Sequence, residues 1–192
     1  MGMTRCASVG RVGVPPQGWA RAAALGCLLC VLPSILWRLA MLAGVDTGFA
    51  DADWYRAEGS RIAYVLGLDA LQLAGALLCL GLVRPWGERV PPFVPGLGGR
   101  TIHRLLPMAL GGAGAVLLYV VMGMLVTSYG SVWLGMREGW TPAAGMEPLE
   151  AIVLGLAYAP LFAWPVVLTV ALVGYWRRRS PLRPPSGGHL VR

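Results

Sequence analysis

Four long apolar stretches, at about residues 22–43, 62–83, 105–126 and 151–176, are joined by connectors whose charge alternates in sign. As a helix rising about 1.5 Å per residue, each stretch is long enough to cross the roughly 30 Å hydrocarbon core of a bilayer. The hydrophobic fraction of 56% and the mean hydropathy of +0.63 exceed those of an ordinary soluble domain. The expected fold is all-α: a polytopic membrane protein built as a four-transmembrane-helix bundle.

The connectors set an orientation. Arg5, Arg11 and Arg21 precede the first span without an acid, and Arg84, Arg89, Arg100 and Arg104 face only Glu88 in the second connector. The end of the chain carries Arg177, Arg178, Arg179, Arg183 and Arg192. The first connector instead holds Asp46, Asp51, Asp53 and Glu58 against Arg56, with Arg61 at its edge, and the third holds Glu138, Glu147 and Glu150 against Arg137. Positive charge stays on the cytoplasmic side, so both termini and the middle connector are expected inside the plasma membrane. Residues 1–21 read as a cytoplasmic N-terminal segment, 22–176 as the transmembrane domain, and 177–192 as a basic, disordered cytoplasmic tail.

The formal charge of +7 is thereby topological, and no nucleic-acid partner is expected, because no region outside the spans is long enough for a groove-reading element. All 16 basic residues are Arg, a bias that suggests a GC-rich genome. The basic start followed by an apolar run invites a signal-peptide reading. The run is too long and lacks a clean small-x-small site near Arg38, so an uncleaved first span is expected.

Aromatic residues gather at the expected interfaces: Trp54, Tyr55, Tyr129, Trp133 and Trp140 outside, and Trp19, Trp86, Tyr175 and Trp176 inside. The outer segment 127–150 is long enough to lie partly on the membrane surface, with Trp133, Met136 and Trp140 as an apolar face.

Two charges fall within the spans, Arg38 and Asp69. A lone charge there costs at least about 2.5 kcal/mol on insertion scales. Arg38 lies five residues before the outer end of its span, about 7–8 Å deep, and Asp69 seven residues past the outer start of the next, about 10 Å deep. The levels match on antiparallel neighbours, so the two are expected to pair. Asp69, Gln72, Ala76 and Cys79 share one helical face, as do Cys27, Cys30, Ser34 and Arg38. Those faces are expected to meet along their length. Two other readings stand beside the structural pair: Arg38 snorkelling outward past a protonated Asp69, and a proton or substrate site formed by Arg38, Asp69 and Gln72. Close packing is expected at Gly111, Gly114 and Ala115 and at Gly155 and Ala159, and bends at Pro33, Pro160 and Pro165.

Catalytic patterns are missing. Cys27 and Cys30 form a CxxC with Cys79 at similar depth. Membrane oxidoreductases that handle quinones place such pairs toward the oxidising side, whereas these fall in the inner leaflet and Cys6 in the cytoplasm. Cysteine there reads as a small hydrophobe. His103 and His189 lie outside the spans, so no haem or intramembrane zinc site is expected, and Ser34, Ser128 and Ser131 lack a histidine at matching depth. The run Gly96-Leu97-Gly98-Gly99 sits in a Pro-rich connector rather than in a phosphate loop, and no cofactor is expected.

That connector, Leu82-Val83-Arg84-Pro85-Trp86-Gly87-Glu88-Arg89-Val90-Pro91-Pro92 continuing through Val94-Pro95-Gly96-Leu97-Gly98-Gly99-Arg100, resembles a stretch of small multi-pass membrane proteins of actinobacteria. Leu32-Pro33-Ser34 followed by Leu36-Trp37-Arg38 is similar to another. The resemblance covers about a third of the chain. It implies a cytoplasmic membrane protein and carries over no catalytic residue. Physically, prolines stiffen the connector, Trp86 anchors it, and Arg84, Arg89, Arg100 and Arg104, with Arg177, Arg178 and Arg179, meet anionic lipid head groups on the cytoplasmic side. A docking surface for a cytosolic protein is the competing reading of the connector.

The functional expectation is a non-enzymatic accessory or interaction component, working through a membrane-protein partner or a homo-oligomer. The alternative is a small oligomeric transporter or channel using the Arg38/Asp69/Gln72 level as its polar site. Water access to that level discriminates the two.

Overall fold

The computed structural model describes residues 17–87, 99 and 102–179. Residues 1–16, most of the middle connector and residues 180–192 lie outside it, and with them the expectations for Arg5, Arg11, Cys6, Glu88, Arg89, Arg100, Arg183, Arg192, His189 and the Gly96–Gly98 run. Among the described residues five α-helices follow one another: α1 (Gly18–Leu42), α2 (Ala52–Arg56), α3 (Gly59–Gly81), α4 (Leu105–Trp133) and α5 (Pro148–Arg179). All but α2 are long and apolar enough to cross a membrane. The chain is a four-transmembrane-helix bundle.

The helices outrun the apolar stretches because polar residues at their ends are satisfied locally. In α4, Thr127 Oγ1 donates to the Gly123 and Met124 carbonyls, both at 3.0 Å, and Ser131 Oγ to the Ser128 carbonyl at 2.8 Å. Such back-bonding lets hydroxyl residues stay helical. At the start of α5, Pro148 stands where a missing N–H costs nothing, and Glu150 Oε2 accepts the Glu147 N–H at 2.9 Å. The helix then runs unbroken through Pro160 and Pro165 to Arg179, so 177–179 are helical rather than the start of a tail.

The tightest interface joins the first and last long helices. Gly26 admits Val167 and Gly174 admits Ala20 and Trp19; a Cβ on Gly174 would stand 2.7 Å from that of Ala20. α1 also packs on α3, whereas α4 joins the body chiefly through α5, seating Gly111 against Leu172. The lateral order is therefore α3, α1, α5, α4. The expected small-residue contacts divide accordingly: Gly111 and Ala115 face α5, but Gly114 and Gly155 look into open space and Ala159 is exposed. Small size permits close approach without choosing the neighbour, and here the larger Val167 and Leu172 fill the gaps.

Trp19 beside Gly174 puts the start of α1 and the end of α5 together. Arg178 donates to the Leu82 carbonyl at 2.8 Å and Arg179 to that of Ile102 at 3.2 Å, which brings the middle connector to the same end. The first and third connectors share the opposite end, where the Phe49 ring lies 6.3 Å from that of Trp140 and 5.9 Å from that of Trp37. Within the first connector α2 is pinned by Arg56, which donates to the Met41 carbonyl at 3.1 Å and pairs with Asp53 at 2.6 Å. No surface helix carries Met136 and Trp140: Trp133 ends α4, and turns and coil follow to residue 147. Gly135 at φ 68° turns the chain there, a conformation suited to glycine.

Candidate functional site

The intramembrane charges come together through helix register. Asp69 and Gln72, three residues apart, project from one face of α3 toward α1. Arg38 spans them with a single edge of its guanidinium: Nε donates to Asp69 Oδ1 and Nη2 to Gln72 Oε1, both at 2.6 Å. Short, charge-assisted bonds of this kind are the strong ones. Gln72 Nε2 donates in turn to Ser34 Oγ at 2.9 Å, and Ser34 Oγ to the Val31 carbonyl at 2.9 Å. Every donor in this series points the same way, so each bond polarises the next. It also fixes the orientation of the Gln72 amide, whose oxygen must face Arg38.

The cluster is enclosed. The Arg38 side chain is 14% exposed, that of Asp69 6%, and Ser34 is fully buried. From α5 the Tyr158 ring stands 5.8 Å from the Arg38 guanidinium carbon, within cation–π range, and Trp37 braces that ring edge-on at 5.8 Å. One atom is left over: the second oxygen of Asp69, Oδ2, is buried without a hydrogen-bond partner. Chemically, the group holds one fixed positive charge, one carboxylate able to take a proton, and no nucleophile paired with a base.

No known protein family, curated protein or solved structure matches the chain.

The remaining candidate residues fall elsewhere. Arg84 and Arg177 are exposed, and the Arg104 guanidinium lies 5.5 Å from the centre of the Trp176 ring. Arg178 and Arg179 depart from the expected lipid-facing role. Both are half-buried and turn back, Arg178 onto the Leu82 carbonyl that the C-terminal end of α3 leaves unpaired, and Arg179 onto the Ile102 carbonyl in the coil before α4. Arg89 and Arg100 lie outside the described residues.

Cys27, Cys30 and Cys79 are free and buried. The thiols of Cys27 and Cys79 lie within hydrogen-bonding reach of each other beside Trp164, and Cys79 Sγ donates to the Gly75 carbonyl at 3.2 Å. They form part of the main core with Val31, Ala76, Leu168 and Tyr175. Among the described residues no group of three His, Cys, Asp or Glu side chains is arranged to hold a metal ion.

Tyr158 is the member of the cluster that the sequence analysis missed. The signal was available as depth: Tyr158 lies seven residues past the expected start of its span, as Asp69 does in its own. Nothing in the pattern, however, said that the last helix adjoins the first.

Proposed function

We propose that this protein is a non-enzymatic component of the cytoplasmic membrane, with both termini inside, acting through contacts with another membrane protein or with a second copy of itself. The supporting observation is the enclosure of the polar cluster. Arg38 donates to both Asp69 and Gln72, and at 14% and 6% exposure the charged pair lies largely buried between helices. A transport site has to reach water on at least one side; a pair enclosed in this way acts as a lock between α1 and α3. The orientation rests on the charge of the connectors, basic at the end shared by α1 and α5 and acidic at the other.

A second reading, a small oligomeric transporter or channel, draws on one atom. Asp69 Oδ2 has no partner, and a carboxylate oxygen left over in a membrane interior is a place for a proton. The two readings separate on water access. In a background lacking the four native cysteines, Asp69→Cys is treated with a membrane-impermeant thiol reagent on intact cells, beside Ala50→Cys as a loop control. Protection of position 69 in a protein that inserts normally supports the interaction component. Labelling at the rate of position 50 means an aqueous path and moves the transport reading ahead.

A further inference from the structure

Between α4 and α5, on the side away from α1, runs an open groove of about 560 Å³. Gly112, Ala115 and Leu172 line it, and at Gly112 a Cβ would meet nothing within 4 Å. Tyr119 and Thr169 cross it partway along the helices, their hydroxyls 3.4 Å apart. Trp176 and Arg177 stand at its other end, with the Arg104 guanidinium within cation–π range of the Trp176 ring. From Thr169 to Trp176 is seven residues, about 10 Å along the helix.

We infer that this groove holds one acyl chain of an anionic phospholipid whose phosphate sits between Arg104 and Arg177. Charge carries the assignment. Among the described residues this end of the bundle bears Arg21, Arg84, Arg104, Arg177, Arg178 and Arg179 and no carboxylate, since all the described acids lie in α3 or at the opposite end. Basic pockets between transmembrane helices bind anionic head groups. The groove carries the rest. Its lining runs along both helices, from Met108 to Tyr119 and from Thr169 to Arg177, and is apolar up to Arg177 but for the Tyr119 and Thr169 hydroxyls, the shape and chemistry of a slot for part of a hydrocarbon chain. The Trp176 ring, with the Arg104 guanidinium 5.5 Å from its centre and Arg177 next in sequence, marks the level where chain gives way to head group. This site depends on the chain spanning a membrane and not on the partner-binding reading above.

The test is native mass spectrometry of the purified, delipidated full-length protein in detergent, with phosphatidylglycerol or phosphatidylcholine added. One phosphatidylglycerol should bind about tenfold more tightly than phosphatidylcholine, and glycerophosphate, a head group without chains, should not displace it. Arg104→Gln with Arg177→Gln should bring phosphatidylglycerol down to the phosphatidylcholine level, whereas Arg137→Gln at the far end should leave it unchanged. Gly112→Leu, filling the groove where there is open space, should weaken both lipids. Equal binding of the two lipids by the wild-type protein would overturn the assignment, and so would full retention of phosphatidylglycerol by Gly112→Leu. An equal loss in Arg137→Gln, or a dimer carrying no lipid, would overturn it as well. The wild-type comparison stands even if a variant fails to fold.

Discussion

Breaking the Arg38–Asp69 pair should give an asymmetric and strongly non-additive result. Asp69→Leu leaves a guanidinium that cannot shed its proton, with Nε facing a leucine while Nη2 stays bonded to Gln72. A buried charge stripped of its partner costs about 3 kcal/mol or more. Arg38→Met leaves a carboxyl that neutralises by taking up a proton and a Gln72 oxygen that loses its donor, together about 2 kcal/mol. The double variant removes both charges and replaces them with apolar groups of similar volume. Only the Gln72 oxygen is then left unpaired, so its net cost is about 1–2 kcal/mol. The cycle therefore returns a coupling of about 3 kcal/mol, with the double variant more stable than Asp69→Leu alone. The assay is reversible unfolding in mixed micelles, followed by tryptophan fluorescence, on the wild type and the three variants. Single costs that add to within about 0.5 kcal/mol would refute the argument, because non-interacting sites add in that way.

Two further outcomes can be checked. Gly174→Leu pushes a side chain into Ala20 and Trp19 and should cost about 2 kcal/mol, whereas Gly155→Leu, which enters open space, should stay within about 0.5 kcal/mol of wild type in the same unfolding assay. In the cysteine-free background, impermeant reagent on intact cells should label Arg137→Cys and not Arg104→Cys; the reverse pattern would invert the proposed topology.

The number of spans and the level of the charged pair were legible because they depend on length and rise alone. Counting residues from the ends of their stretches placed Arg38 and Asp69 at one depth, and a spacing of three and four put Gln72 and Ser34 on the facing sides. The lateral order was not legible. α4 and α5 are apolar around their whole circumference, since lipid and protein neighbours ask for the same side chains, so no face announces its partner. That is why Tyr158 escaped notice and why Gly155 and Ala159, small and well spaced, turned out to face away from the body. The ends were misjudged for a different reason. Apolarity stops near residue 126, but the helix does not, because Thr127 and Ser131 satisfy their hydroxyls on its own backbone.

The tight seam between α1 and α5 bears on how the molecule is made. The first helix leaves the ribosome well before the last exists, so Gly26 and Ala20 have no Val167 or Gly174 to meet while α3 and α4 are being inserted. During that interval α1 and α3 have each other, clasped by Arg38 and Asp69, but α4 adjoins chiefly a helix not yet synthesised. The newborn chain is thus a two-helix hairpin trailing an unattached span. The arrival of α5 then closes the distance from one terminus to the other in a single docking event, and chains cut short before that helix should be the ones cleared by membrane proteases.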